Sequence, residues 1–531
     1  MNKVTINRIL TNPNQAPGSD FVSGMLFFTD NLPTGFDSTH RIKNILGGDR
    51  ATLDALGILN DFSDGTGAVG VITISHLGAG GDLATVKVVE PDKTTTLCAC
   101  TLASTDTTIA LACTAIAAAI NALTYSHGYT AVASTTTVTI TAPKKLGKFL
   151  NTNTPLSITI VQTGGLAGSV TTPFAGGAAS LLAQWNYHIT EYYRLNPNGN
   201  LWVYFAPITG NAWNFQEIQT LQGSGGANGA MRQAGVYLGN CGAGGSGSGT
   251  AAWIKTVADA CQAVKVTLDG YHMPVSIIIG TDISAISDLT TLTDASTWTD
   301  FGVSAILSQG GWINSTLNPV TDPGWLIYKG QGYSITDIGA KLGTISLSPV
   351  NDDQGWVSKY NLTDGINLAV PAFGNGHNID LIADSNLLAL LDRYRYIYNG
   401  SYVGLSGVFQ NDNPCLISAA SSFAWINNNR VFDKAARLLY LEFLPLLNGD
   451  VDVNTDGTPT SLSLSIWQSM ISNALAPMTS LQPGQATTEI AGYTATINPN
   501  QNIVTSGKIV IGLQLGLQGI ARSIIINLSN N

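Results

Sequence analysis

Apolar positions recur along this chain in two different periods. Between about Ser180 and Asp380, "LWVYFAPI", "QAGVYLGN", "PVSIIIGTD" and "VSAILSQGG" are short, nearly continuous apolar runs. Runs of that length with no polar face predict strands covered on both sides. "TAAWIKTVADACQAVKVTL" lies between two of them with apolar residues at helical spacing. Strands alternating with helices predict an α/β layer built on a mainly parallel sheet. "FVSGMLFF", close to the start, opens the same unit.

A second pattern interrupts the first. Glycine-rich stretches, "SDGTGAVGVITISHLGAGGD" and "GGLAGSVTTPFAGGAAS", bracket residues 69–174. Between them Ile109, Cys113, Ile116, Ile120 and Leu123 step by four and three, which predicts a helix capped from Ser104–Asp106. A strand at Thr85–Val89 and strands in "YTAVAS" and "TTVTITA" complete a small inserted α+β module. From about Leu381 the pattern changes again. "NNNRVFDKAARLLYLEFLPLL" predicts a helix ended by Pro445, with Phe432, Ala435, Leu439 and Phe443 on one stripe. "SLSIWQSMISNALAPM" predicts a second helix. Ile509, Ile511, Leu513, Leu515 and Leu517 then alternate with smaller or polar residues, the period of a strand with one buried face. Ile524, Ile525 and Ile526 have no polar face at all.

The expected class is therefore α/β and α+β multidomain. Residues 1–19 form an arm, a short strand with Val4 and Ile6 on a Pro/Gly-containing linker. Residues 20–68 and 175–380 form the α/β middle domain, and 69–174 the inserted module. Residues 381–518 form an α+β C-terminal domain, and 519–531 a last strand that needs a partner to hold it.

Composition narrows the partners. Only 11% of the 531 residues are charged, and the formal net charge is −10. With no basic block, nucleic acid is not expected as a partner. The arginines of "DRYRYIYNGSY", Arg393 and Arg395, read as a strand edge or interface rather than a base-stacking surface. The six cysteines show neither metal-ligand spacing nor a disulfide framework. The start of the chain has no signal-peptide core, and the run Ile109–Leu123 is too short and polar to span a bilayer.

Motif chemistry is weak throughout. "GAGGSGSGTAAW" and "GSGGANGAMR" lack the lysine of a phosphate loop. Asp452, Asn454, Asp456 and Gly457 match half a calcium loop, but Ser463 stands where the closing glutamate belongs; a turn explains the same residues. His188, beside Trp185 and Tyr187, reads as a packed core residue. No catalytic, cofactor-binding or metal-binding residues are assigned, and no enzyme is expected.

The C-terminal third resembles the contractile tail sheath proteins of bacteriophages and related contractile injection systems, in a branch once filed as a phage family of unknown function. The resemblance runs in order through "RYRYIYNGSYVGLSGVFQNDNPC", "INNNRVFDKAARLLYLEFLPLL" and "INPNQNIVTSGKIVIGLQLGLQGIARSIIINL". Upstream, "GSDFVSGMLFF" and "IGAKLGTISLSPVNDDQGWV" also look like family segments, and "TAIAAAINAL…YTAVASTTTVTITAPKKLG" is similar to a module inserted in other tail proteins. The resemblance implies a structural subunit that forms stacked hexameric rings around an inner tube and contracts to drive that tube through a target envelope. It implies partners in further copies of itself, the inner tail tube protein, and baseplate and tail terminator proteins, without membrane insertion. It implies a place in a virion tail assembled in the bacterial cytoplasm, or in a bacterial contractile injection system. It also implies that both extensions lend strands to neighbouring subunits, with Val4, Ile6, Ile524, Ile525, Ile526 and Leu528 as the exchanged residues. A secreted or surface β-rich adhesin is the alternative, suggested by Asn-X-Ser/Thr triplets at Asn314, Asn361, Asn399 and Asn527.

Overall fold

The computed structural model describes residues 20–59, 62–77, 80–90, 93–151, 155–161, 165–238, 251–283, 286–309, 313–314, 320–321, 335–481 and 485–522. Val4, Ile6, Ile524, Ile525, Ile526 and Leu528, together with the glycine-rich residues 239–250, lie outside the described residues.

A six-stranded sheet forms the body. Its order is Val303–Ile306, Ser276–Gly280, Gln233–Tyr237, Val22–Phe28, Asn200–Ala206, Ile42–Ile45. All neighbours are parallel except the last pair. Val22–Phe28 is buried at every position because both of its faces are covered. Leu26 and Phe28 face a core shared with the helices Glu217–Gln222 and Ala251–Gly270. Met25 and Phe27 face a second core with the helices Leu181–Leu195 and Ile338–Leu347.

Those last two helices touch backbone to backbone. A Cβ at Gly339 would lie 2.1 Å from the His188 carbonyl oxygen, and one at Gly343 2.6 Å from that of Tyr192. The spacing of four residues puts both glycines on one helix face. His188 is the packed residue expected from sequence. It is fully buried beside Phe27 and Tyr237, and burial holds its imidazole down at about 4.

Residues 68–174 enclose a hydrophobic cluster of their own, with Ile72, Val86, Leu97, Ile116, Ile120, Val138, Ile140 and Phe174 among its members. Two sheets, of four and three strands, carry it with the helix Ile109–Ala122. The helix cap differs from expectation. Thr108 accepts from the Leu111 amide, whereas Asp106 closes the preceding turn on the Ala103 amide. The incoming and outgoing strands, Val69–His76 and Ala167–Ala175, pair antiparallel. Beyond them Thr66 and Ala178 exchange two backbone hydrogen bonds of 3.0 and 2.9 Å. Asp64 then accepts from the Leu181 and Leu182 amides, fixing the start of the next helix.

Leu388, Leu391, Tyr396, Tyr398 and Leu416, which the sequence places in the C-terminal unit, sit in the core of the sheet. The cause is pairing across the chain: Ile397 accepts from the Leu307 amide and donates to the Ala305 carbonyl. The helices Ile426–Phe443 and Ser461–Thr479 follow, and the antiparallel strands Ile490–Ile497 and Ile511–Leu517 close a smaller core with them. The expected helix stripe is shifted. Val431 and Ala435 are buried there and Leu439 and Phe443 half-buried, while Phe432 packs on Phe423 with ring centroids 5.0 Å apart.

Two predictions follow from this packing. Helix propensity would make Gly339→Ala stabilising by roughly 1 kcal/mol, but the His188 carbonyl leaves no room. A lower thermal midpoint is expected, reflecting a loss of about 1–3 kcal/mol; a rise would show that the two helices have slack. Replacing residues 67–177 with a two-residue turn between Thr66 and Ala178 is expected to leave a folded remainder, read by circular dichroism and thermal unfolding. An insoluble product would show that the body needs the module's core.

Candidate functional site

The C-terminal strands form a two-stranded sheet whose outer edges carry no partner strand among the described residues. Its inner face is apolar: Tyr493, Ala495, Ile497, Ile511, Leu513, Leu515 and Leu517 rest on the helices Ile426–Phe443 and Ser461–Thr479. These residues are only half-covered, and Ile490 alone in the hairpin is buried completely. The outer face presents Thr494, Thr496, Gly512, Gln514 and Gly516. An isolated two-stranded sheet is marginal in water, and an open edge is a template for a further strand.

The hairpin's connection is tied down separately. Asn502 caps the helix Ile503–Ser506 by accepting from Thr505, and its amide donates to the Asp456 carbonyl at 2.7 Å. Gly457, at φ +83°, passes so close that a Cβ would meet the Asn502 side chain at 2.7 Å. The half calcium loop thus serves as a turn. Asp456 accepts from the Thr458 amide and hydroxyl, and Asp452 accepts from the Thr460 hydroxyl.

The helix Ile426–Phe443 holds the hairpin to the body through the charged residues that carried the resemblance. Arg430, buried, donates to the carbonyls of Ile345, Ser348 and Pro349, and so satisfies the C-terminal end of the helix Ile338–Leu347. Asp433 pairs with buried Lys265 at 3.1 Å. Lys434 bridges Asp20 and Glu489, both at 2.8 Å, and Arg437 pairs with Asp20 at 2.5 Å. Asp20 is the first described residue of the chain, and Glu489 directly precedes the hairpin. Burial would raise the Asp20 carboxyl, but Arg437 and Lys434 outweigh it and hold the group below the usual range.

The other end of the hairpin is anchored as well. Arg522 donates through Nε to Asp412 at 3.0 Å and through Nη2 to Asp353 at 2.9 Å. Its Cζ lies 3.6 Å from the Trp425 ring centroid, and that of Arg395 lies 4.0 Å from the same centroid. Two guanidinium groups cannot share one face at those distances, so they sandwich the indole. Arg395 also donates to the Ile417 and Ala424 carbonyls. It therefore fastens the inside of its own chain, where a strand edge or interface was expected from sequence; it follows the helix Ser385–Arg393 at a positive φ of 70°.

The sequence-predicted exchange residues lie outside the described segments, so the structure brings none of them together. Sequence reasoning missed Asp20, Trp425 and Arg522. One signal was available: Arg522 is the lone charged residue after Lys508. Among the described residues no group of His, Cys, Asp and Glu is arranged to hold a metal, and no helix is long and apolar enough to cross a membrane. The five described cysteines are free thiols.

Residues 422–530 match the family model described as DUF2586, C-terminal domain. The matched segment bears the charged helix and the hairpin. No curated protein matches the chain. Among solved structures, a chain of the anti-feeding prophage baseplate, seen by six-fold symmetrised cryo-electron microscopy, aligns at 11% identity over 65% of this chain and 80% of its own, with a TM-score of 0.37. A sheath tail protein from Desulfitobacterium hafniense aligns at 11% identity over 94% of this chain and 96% of its own, with a TM-score of 0.33.

The Asp20 cluster makes a prediction with a definite sign. A carboxyl held low in the folded state stabilises the fold above its unfolded value near 4, and that contribution disappears as pH falls through the folded value. Asp20→Asn removes the buried carboxylate that Lys434 and Arg437 share, so it is expected to lower stability at pH 7 by about 3 kcal/mol. The gap between variant and wild type should narrow as pH drops below about 4. A gap independent of pH would show that Asp20 acts through packing rather than charge.

Proposed function

We propose that this chain is the structural subunit of a contractile tail sheath, in a phage tail or a related injection system. Copies stack as hexameric rings around an inner tube, joined by strands that residues 1–19 and, of the expected segment 519–531, those beyond the anchored Arg522 lend to neighbouring copies. The observation that carries the polymerising part of this reading is the hairpin: apolar on one face, half-covered, unpaired at both outer edges among the described residues, and mounted on a helix ion-paired to the body. The sheath part rests on the sequence resemblance of the segments that build that helix and hairpin.

The physics is mutual strand addition. A strand from another copy would satisfy the edge's backbone groups and cover the half-exposed leucines and isoleucines, each worth about 1.5–3 kcal/mol when fully buried. A contact between unlike surfaces propagates as a ring or helix instead of closing a dimer. The body, rigid through its sheet and its docked helix, would then move as a unit while the linking strands keep copies connected. Free energy for contraction is stored at assembly, so the chain needs no catalytic site.

Ile525 is the test position, in the middle of the apolar run. Proline there removes a ladder hydrogen bond, and aspartate buries an unpaired carboxylate. Ile525→Pro and Ile525→Asp are expected to give folded monomers that form no tubes, while Ile525→Val, losing one methylene worth roughly 1 kcal/mol, assembles. Sedimentation and electron microscopy read the outcome. Folded Pro and Asp variants that still build tubes would remove the strand from the lattice.

A further inference from the structure

Arg522 is held in a manner that exceeds the needs of a chain passing over a surface. Three groups grip one guanidinium: the Asp412 carboxylate, the Asp353 carboxylate and the Trp425 indole. The two carboxyl groups also lie within hydrogen-bond reach of each other. Asp353 Oδ1 already accepts from the Gly355 amide and the Asn413 side chain, both at 2.8 Å. Only Asp353 Oδ2 is left to face Arg522 and Asp412. Two carboxylates this close resist being ionised together, so without a cation between them the pair retains a proton.

We propose that Asp353, Asp412 and Trp425 form a proton-exchanging latch for Arg522: seating the guanidinium expels a proton from the carboxyl pair to water, and unseating it takes one up. The direction follows from charge. With Asp412 ionised, Arg522 has two anionic partners; with Asp412 protonated, it keeps Asp353 and the indole alone. Burial and the neighbouring Asp353 push the Asp412 carboxyl up to about 7, against the pull of Arg522. The latch therefore tightens as pH rises through neutrality and loosens below it.

The surrounding charges act on the latch in both senses. Lys341, on the helix Ile338–Leu347, donates to Gln410 and Asn413, and burial lowers its ammonium to about 7. Its charge, present at the acid end of the same window, repels Arg522 and so loosens the latch there, while it also favours the ionised pair and works against proton uptake. Arg395 lies across the indole, and burial lowers it, with Asp412 opposing. Asp392 of the helix Ser385–Arg393 is engaged by Asn411 and Tyr398, Tyr402 faces both carboxyl groups, and Arg430 of the helix Ile426–Phe443 faces Lys341. Arg522 directly precedes residues 523–531, so the latch sets where the proposed strand-lending segment leaves the body. Only that consequence rests on the sheath reading; the latch itself belongs to the single chain.

The test uses the full chain as a monomer. With arginine-selective 15N labelling, the Arg522 Nε resonance is assigned by its disappearance in Arg522→Lys. It is expected to shift with pH at a midpoint near 7, and Asp412→Asn should abolish that titration. Asp412 carboxyl titration, followed by 13C labelling, should move upward by about one to three pH units in Arg522→Gln. A resonance indifferent to pH between 5.5 and 8.5, or a titration that survives Asp412→Asn, would overturn the latch. So would a carboxyl midpoint unmoved by Arg522→Gln. None of these readouts depends on tube formation, so a chain that never polymerises would sink the sheath reading and leave the latch to be judged by itself.

Discussion

The helix Ile426–Phe443 is held by charges on one side and by apolar contacts on the other, and the relation between body and hairpin depends on that division. Arg430 satisfies the end of a body helix, Asp433 meets Lys265, and Lys434 with Arg437 gathers Asp20 and Glu489. Val431 and Ala435 meanwhile line the small core beneath the hairpin. Removing one partner from such buried pairs costs far more than the pair contributes as a whole, because the survivor stays charged and dry. The helix is thus fixed in register, and the sheet edge it carries is fixed with it. This protein, poor in charge, still places several charged groups inside, where they set orientation.

An edge held in a defined direction is what strand addition requires. The first and last described residues with charged partners, Asp20 and Arg522, are both pinned close to this unit. Whatever precedes and follows them leaves from known points. Residues 68–174 take no part in this arrangement, with a core of their own and a pair of strands at their junction. Their removal and the edge's function are therefore separable questions.

Much of the fold was legible because local pattern suffices for it. The runs "SIIIG" and "QAGVY" are buried at every position, as continuous apolar strands must be. The spacing from Ile109 to Ile120 gave the module helix, and the alternation from Ile511 to Leu517 gave the last described strand. Other parts were hidden for physical reasons. Thr94–Thr101 buries only Leu97 and Cys98, and its pairing shifts at Val86/Lys87, so no clean period survives. Residues 385–416 join the body's core through Ile397 and Ile306, partners almost a hundred positions apart. The anchors are more distant still: Arg437 and Asp20 are separated by 417 positions, and Arg522 and Asp353 by 169. Such pairs leave no mark on local sequence.

Hydrogen exchange measures directly whether the hairpin edge accepts a strand from another copy. Amide exchange over 490–497, 511–517 and 524–528 should be compared between monomer and assembled material at one pH. Outward-facing hairpin amides and those of 524–528 are expected to become protected together on assembly, while the body's sheet is unchanged. Assembly that leaves hairpin exchange at its monomer rate would contradict strand addition at that edge.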